Sequence, residues 1–74
     1  MELHNKRMFL LADHMANKGI LKKDFYTSIG FYPYNADRVR KGTLSFTVEN
    51  IANCIKIHGI NPAYFFKKDA PMFE

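Results

Sequence analysis

Residues 19–42 read GILKKDFYTSIGFYPYNADRVRKG and contain two short segments with the periodicity of a helix. Phe25 and Ile29 lie four residues apart in the first segment, and Ala36 and Val39 lie three residues apart in the second. Apolar residues at these spacings line one face of a helix. The stretch therefore predicts two consecutive helices, each with one face in the core.

Glycine and proline set the bounds of these two helices. Gly30 and Gly42 each follow a periodic segment, in the position where a helix commonly ends with a glycine. Pro33 suits the first position of a helix, because the N–H that it lacks would be unpaired there. We therefore predict a second helix over residues 22–28, a short turn, and a third helix over residues 33–41.

Another helix is predicted on the N-terminal side of this pair, over residues 3–17. Apolar side chains recur there at spacings of three and four, which indicates one buried face. Its members are Met8, Leu11, Ala12 and Met15.

Two more helices are predicted on the C-terminal side. The first covers residues 48–58, because Thr47 suits an N-cap and Gly59 suits the end of a helix. Its expected inward residues are Val48, Ile51, Ala52 and Ile55. The second is short and runs from Pro62 to about Lys67. Its expected buried residue is Tyr64 or Phe65.

No segment reads as an alternating strand, so the predicted fold is all-α, with five short helices in one compact domain over residues 1–68. A chain of 74 residues is enough for one small domain and no second one. The last residues, 69–74, contain proline and little periodicity, and we expect a flexible tail there.

The composition limits the class of protein. Of the 74 residues 47% are hydrophobic, and the single cysteine, Cys54, excludes an intramolecular disulfide. A free thiol fits the reducing cytosol. The only apolar run near the N-terminus, Met8 to Ala12, is too short for a signal-peptide core or a bilayer crossing. We therefore expect a soluble, cytoplasmic protein.

Neither a metal site nor an enzyme active site is expected. His4, His14 and His58 lie far apart in the sequence, and none has a partner at ligand spacing. Cys54 lies on the apolar face of the fourth helix, and nothing identifies the basic partner that a thiol nucleophile needs. No glycine loop for phosphate and no triad spacing is present. We therefore expect no catalytic residue, no cofactor and no small-molecule ligand.

A continuous pattern of spacings extends over residues 19–66. The residues that carry it are Gly19-Ile20, Lys22-Lys23-Asp24-Phe25, Ile29-Gly30-Phe31, Pro33, Val39, Gly42, and the segment from Val48-Glu49-Asn50-Ile51 to Ile57-His58-Gly59-Ile60. This pattern resembles the Xre/Cro family of lambda-repressor-like DNA-binding domains. The resemblance implies a helix-turn-helix whose third helix enters the major groove while the second crosses the backbone, with two copies on two half-sites.

The resemblance places the DNA contacts on the third helix, at about residues 33–41, and around it. The implied base-reading residues are Tyr34, Asn35, Asp37, Arg38 and Lys41, and the implied phosphate contacts are Lys18, Lys22, Lys23, Tyr32 and Arg40. Their chemistry fits, because arginine can bridge guanine O6 and N7, asparagine can pair with adenine, and tyrosine rings can contact thymine methyl groups. The expected partner is double-stranded DNA.

Two of these side chains have alternative roles that the sequence leaves open. The usual Ser or Thr cap of the third helix is missing at Tyr32, so Asn35 either reads bases or caps a helix that starts later. Asp37 either accepts a hydrogen bond from cytosine or restrains Arg40 or Lys41.

The charge distribution supports a polyanionic partner. Residues 18–41 hold six basic and two acidic side chains, while the rest of the chain is balanced. The whole net charge of +4 therefore lies on the predicted helix-turn-helix, where a phosphate backbone would need it. Together with the resemblance, this predicts a small transcriptional regulator that binds specific DNA sequences.

Phe9, Phe66 and Phe73 exceed what the predicted core needs, which favours a self-association surface and a homodimer. Ordinary surface exposure of these rings is the alternative. The rival function keeps the fold without DNA binding, as a protein-interaction module such as a phage or plasmid accessory factor. The Tyr32-Pro33-Tyr34 sequence and Asp37 motivate that rival.

Overall fold

Four α-helices and two 3-10 turns form the chain in the computed structural model, which describes residues 1–74. The elements are α1 Leu3–Asn17, α2 Lys22–Ser28, a 3-10 turn Pro33–Asn35, α3 Ala36–Arg40, α4 Val48–His58 and a 3-10 turn Pro62–Phe65. Helical residues make up 61% of the chain and there is no strand, which confirms the all-α prediction. The longest helix has 15 residues, and none combines the length and apolarity that a bilayer crossing requires.

One hydrophobic core joins all four helices. It contains 16 buried apolar side chains. The predicted inward residues of the first three helices are all among them: Met8, Leu11, Ala12, Met15, Phe25, Ile29, Ala36 and Val39. Helices of five and seven residues are unstable in isolation. Burial against neighbouring elements therefore holds α2 and α3 in place.

Phe46, in the loop between α3 and α4, is a core residue that the periodicity does not reveal. Its ring centroid lies 4.5 Å from that of Phe31, 6.0 Å from that of Tyr26 and 5.4 Å from that of Phe9. Asn5 of α1 fixes the loop, because its Oδ1 accepts a hydrogen bond of 3.0 Å from the Phe46 N–H. This aromatic cluster ties the loop after α3 to α1 and α2.

The turn after α2 is a Schellman motif with Gly30 in the left-handed region, at φ +79°. The Gly30 N–H donates to the Thr27 carbonyl at 3.1 Å, and the Phe31 N–H donates to the Tyr26 carbonyl at 2.9 Å. The Tyr26 and Phe31 rings pack with centroids 5.4 Å apart, which is the apolar contact typical of this motif. The predicted end of the second helix is confirmed, and the turn directs the chain toward α3.

The third predicted helix, over residues 33–41, divides into two parts. Pro33–Asn35 forms a 3-10 turn, closed by the Asn35 N–H to the Tyr32 carbonyl at 2.9 Å, and α3 follows over Ala36–Arg40. No side chain caps either start. A first turn without a cap satisfies its N–H groups by tightening to 3-10 bonds, which explains the later start of α3.

The predicted fifth helix is a single 3-10 turn, Pro62–Phe65, so the predicted count of five helices is not reproduced. Beyond it, backbone groups bond to side chains instead of continuing a helix. The Arg7 guanidinium donates to the carbonyls of Lys68 and Ala70. The buried residues of this turn are Tyr64 and Phe65, of which we predicted one or the other.

α4 begins after Thr47 and ends at Gly59, as predicted, but its buried face differs from the prediction. Val48, expected to face inward, is 82% exposed. Ala52 is exposed as well and Ile55 is only partly buried. The buried residues are Asn50, Ile51 and Cys54. The polar Asn50 is turned inward because its amide bonds to a core carbonyl, as described below.

Residues 69–74, predicted as a flexible tail, lie against the folded domain. The Asn61 N–H donates to the Met72 carbonyl at 2.9 Å, and Met72 packs against the core. The Phe73 ring lies 5.6 Å from the ring of His14 in α1. The segment is thus docked in the structure, and its flexibility stays a prediction.

Candidate nucleic-acid interface

Two tyrosines project from the 3-10 turn that precedes α3. Tyr32 is 65% exposed and Tyr34 is 77% exposed. Their rings stack on each other, with centroids 5.5 Å apart and planes inclined by 23°. Neither hydroxyl forms a hydrogen bond within the chain. The pair is therefore an ordered apolar surface that the core does not use.

The polar side chains nearest to this pair are also without partners inside the protein. Asn35 occupies the N-cap position of α3, yet its side chain makes no capping hydrogen bond. Its amide is therefore free, which removes the competing structural role considered for it. Arg38 and Lys41 are exposed and form no ion pair within the chain.

Asp37 restrains Arg40, which is one of the two roles left open by the sequence. Arg40 Nη1 lies 3.0 Å from Asp37 Oδ1, three residues earlier on the helix. The Arg40 guanidinium also lies over the Phe9 ring, 4.6 Å from its centroid. Arg40 is therefore held toward α1, and a phosphate contact by this residue would have to compete with both interactions.

The predicted phosphate-contact lysines also differ in whether they have a partner inside the protein. Lys22, at the start of α2, pairs with Asp13 of α1 at a distance of 2.7 Å between Nζ and Oδ1. Lys18 and Lys23 are exposed and form no ion pair. The pair of Lys22 and Asp13 is exposed, so it is weak and a phosphate can displace the carboxylate.

α3 is held in place by two buried side chains and by hydrogen bonds at its C-terminus. Ala36 and Val39 are buried, which turns the remaining side chains of α3 outward. At its C-terminus, the Gly42 N–H donates to the Val39 carbonyl and the Thr43 N–H donates to the Arg38 carbonyl. The Thr43 hydroxyl donates to the same Arg38 carbonyl at 3.2 Å. A short helix is thus held rigidly while its outer face stays open.

Two asparagines of α4 fix the turn between α2 and α3. Asn50 Nδ2 and Asn53 Nδ2 each donate to the Ile29 carbonyl at 3.1 Å. This carbonyl follows α2 and lies where Gly30 turns the chain. Sequence reasoning missed both residues as positioning residues. The available signal was the polar Asn50 on a helix face with buried neighbours.

The titratable groups in the core are structural. Burial raises the pKa of the Cys54 thiol to about 12, and its Sγ lies 3.5 Å from Met8 Sδ. Burial lowers the pKa of His58, whose Nε2 lies 2.8 Å from Ser28 Oγ. The Ser28 hydroxyl donates to the Phe25 carbonyl at 2.6 Å, so toward His58 it acts as an acceptor. No group of three or more potential metal ligands is present.

The three phenylalanines predicted for self-association differ in their exposure. Phe9 is partly buried, with its ring against Phe46 and under Arg40. Phe66 is 63% exposed and Phe73 is 43% exposed. The two exposed rings each lie beside a histidine of α1, so they leave an apolar surface along that helix.

Comparison with known proteins found no family model, no curated protein and no solved structure that matches this chain. The Xre/Cro resemblance therefore stays a prediction from the spacing of residues 19–66.

Proposed function

We propose that this chain is a sequence-specific DNA-binding protein, a small transcriptional regulator in which α2, the turn and α3 act as a helix-turn-helix. One observation carries the proposal. Five side chains on and beside the turn and α3, four of them exposed and one half-buried, form no hydrogen bond or ion pair inside the protein, while hydrogen bonds hold the backbone beneath them. These side chains are Tyr32, Tyr34, Asn35, Arg38 and Lys41. Side chains of this kind, held on a rigid element, are available to a partner.

Base recognition would come from the outer face of α3 in the major groove. Asn35 has helical backbone and lies three residues before Arg38, so the two side chains are neighbours on α3. Arg38 can donate to O6 and N7 of guanine, and the uncapped Asn35 amide can pair with adenine N6 and N7. Asp37, already bonded to Arg40, then acts as a restraint and not as a base reader.

Phosphate contacts would come from Lys18, Lys22, Lys23 and Arg40, with a hydroxyl contact from Tyr32. Lys18 and Lys23 are free, whereas Lys22 and Arg40 would exchange Asp13 and Asp37 for phosphate. Release of counterions from DNA makes such binding weaken with salt, by a log–log slope of roughly 0.9 per phosphate neutralised.

A homodimer is part of this proposal, because a helix-turn-helix protein usually binds two half-sites with two copies. The exposed Phe66 and Phe73 beside α1, together with Leu10 at 55% exposure, support self-association through that side of the molecule. Phe9 has no part in it, since its ring is packed under Arg40.

The test is selection of bound duplexes from a random pool, followed by affinity measurements at two salt concentrations. We expect an enriched sequence with inverted symmetry. Four basic contacts per copy, and therefore eight per dimer, predict binding on the order of ten-thousandfold weaker at about 200 mM than at about 50 mM salt. No enrichment of any sequence, or affinity that does not change with salt, would contradict the proposal.

A protein-interaction module is the second candidate, favoured by the exposed Tyr32–Tyr34 pair and by the internal use of Asp37. The same selection separates the two functions, because a module of this kind enriches no duplex. The substitution Arg38→Ala then discriminates further: loss of duplex binding supports DNA recognition, and an unchanged protein partner supports the module.

A further inference from the structure

The geometry of the Tyr32–Tyr34 pair follows from the residue between its members. Pro33 fixes its own φ near −65°, and the Asn35 N–H closes the turn on the Tyr32 carbonyl at 2.9 Å. The two rings are thereby held side by side, with centroids 5.5 Å apart. This spacing is present in the chain without a partner.

The spacing suits a repeated feature of the major groove. Successive bases of B-DNA are ~3.4 Å apart along the axis, and each is rotated from the last by roughly a tenth of a turn. The methyl groups of two adjacent thymines are therefore separated by somewhat more than the rise, a distance similar to that between the two rings. The thymine methyl is the one apolar group that a base presents in the major groove.

We propose that Tyr32 and Tyr34 are specificity-determining residues that contact the two C5-methyl groups of a TpT step, beside the base that Arg38 reads. This inference rests on the proposed function and names the sequence class at the same site. Tyr34 precedes Arg38 by four residues in the same turn-and-helix segment, so the methyl contacts would fall close to the base that Arg38 reads. The ligand chemistry is a pair of stacked 5-methylpyrimidines.

The hydroxyl groups are a separate source of contact, and substitution can separate them from the rings. Tyr32→Phe together with Tyr34→Phe keeps both apolar rings and removes both hydroxyls. Tyr32→Ala together with Tyr34→Ala removes the rings. Both rings are exposed and neither belongs to the core, so the folded state should tolerate either double variant, which a thermal melt of each checks.

The experiment starts from the duplex selected as described above and replaces its thymines one at a time by deoxyuridine, which lacks only the methyl group. At two adjacent positions of each half-site we expect affinity to fall about fourfold per methyl, the equivalent of burying one CH₂ group. The double phenylalanine variant should keep this difference between thymine and uracil. The double alanine variant should bind both duplexes with equal affinity.

Two results would overturn the inference and leave the proposed function standing. One is a selected duplex in which no uracil replacement changes affinity. The other is a thymine preference that the double alanine variant retains. A pool that yields no bound duplex at all would instead overturn the proposed function, and the inference with it.

Discussion

The N-termini of α3 and α4 are built in opposite ways. At α4, Thr47 Oγ1 accepts a hydrogen bond of 3.1 Å from the Asn50 N–H, and Asn50 Oδ1 accepts one of 2.9 Å from the Thr47 N–H. This reciprocal pair is a capping box. At α3, Asn35 occupies the cap position without making any such bond. The start of α4 is capped by side chains, whereas the start of α3 relies on the backbone bonds of the 3-10 turn before it.

The difference lies in where the polar side chains near each start make their bonds. Asn50 of α4 bonds to the Thr47 N–H and to the Ile29 carbonyl. α3 buries only Ala36 and Val39, and its Arg40 bonds to Asp37 and lies over the Phe9 ring. A missing side-chain cap is not special to α3, since α1 and α2 also begin without one. The feature that agrees with the proposed interface is the unused amide of Asn35.

The largest effect is expected for Asn50→Ala. It removes the side-chain half of the capping box and one of the two bonds to the Ile29 carbonyl, and leaves the Thr47 N–H without its partner, while the bond from the N–H of residue 50 to Thr47 Oγ1 remains. We expect a loss of about 2–3 kcal/mol in the free energy of unfolding. Urea and thermal denaturation measure it, with a decrease in Tm of roughly 10–20 °C for a domain of this size.

Asn53→Ala is the matched control, because Ile29 keeps its bond from Asn50 and the capping box stays intact. It should cost less than about 1 kcal/mol. Equal losses in the two variants would show that α4 is not held by the capping box, and the contrast with α3 would fail.

The next effect concerns binding. Arg38→Ala should weaken binding of the selected duplex by about 1–3 kcal/mol per copy, since each half-site loses one bidentate contact to guanine. It should leave Tm unchanged, because the Arg38 side chain has no partner in the chain. Titration of labelled duplex measures the first quantity and a thermal melt the second.

Lys56→Ala, at an exposed position of α4, is the control for the loss of one positive charge. It should change affinity much less than Arg38→Ala does. Equal weakening by both variants would show that Arg38 contributes only its positive charge. It would contradict base recognition by α3.

Smaller changes in stability are expected from substitutions at the two helix starts, which allow a direct comparison. Thr47→Ala should cost about 1 kcal/mol of stability, the usual value of an N-cap. Asn35→Ala should leave stability nearly unchanged, because its side chain caps nothing, and should weaken duplex binding. Paired melting curves test both statements, and a clear destabilisation by Asn35→Ala would show that its side chain does cap α3.

The smallest effect is a pH dependence at the C-terminal end of α4. Burial lowers the pKa of His58, so below its ordinary value of about 6.5 the unfolded chain binds the proton more readily than the folded one. Stability should therefore be full above that pH and should decrease as the pH falls through it. Denaturation at several pH values measures the slope, which His58→Gln should reduce. A slope that is unchanged in this variant would exclude His58 as its source.

Much of the fold could be predicted from local sequence signals. Thr47 and Gly59 gave the bounds of α4, and Gly30 gave the end of the second helix, because capping and left-handed glycines act within a few residues. The predicted inward face of α4 was right for Ile51 and wrong for Val48 and Ala52, since Asn50 is turned inward by a carbonyl 21 residues earlier in the chain. Phe46 was missed for a similar reason, because only tertiary contacts bury a residue in a loop.

In the candidate site, too, some features follow from local sequence and others depend on tertiary contacts. Tyr32 and Tyr34 are exposed because Pro33 starts a 3-10 turn between them, outside the α-helix that buries Ala36 and Val39. Restraint of Arg40 by Asp37 is a contact three residues apart, and the sequence suggested it. The pairing of Lys22 with Asp13 joins two helices, so no local rule could reveal it.

The most direct test of the proposed interface is a titration of the isotope-labelled protein with the selected duplex, followed by backbone amide chemical shifts. The proposal predicts that the largest changes fall on residues 32–41 and on Lys22 and Lys23 at the start of α2, with small changes over residues 48–58 of α4. Changes concentrated on α4 or on the exposed side of α1, or no changes at all, would contradict it.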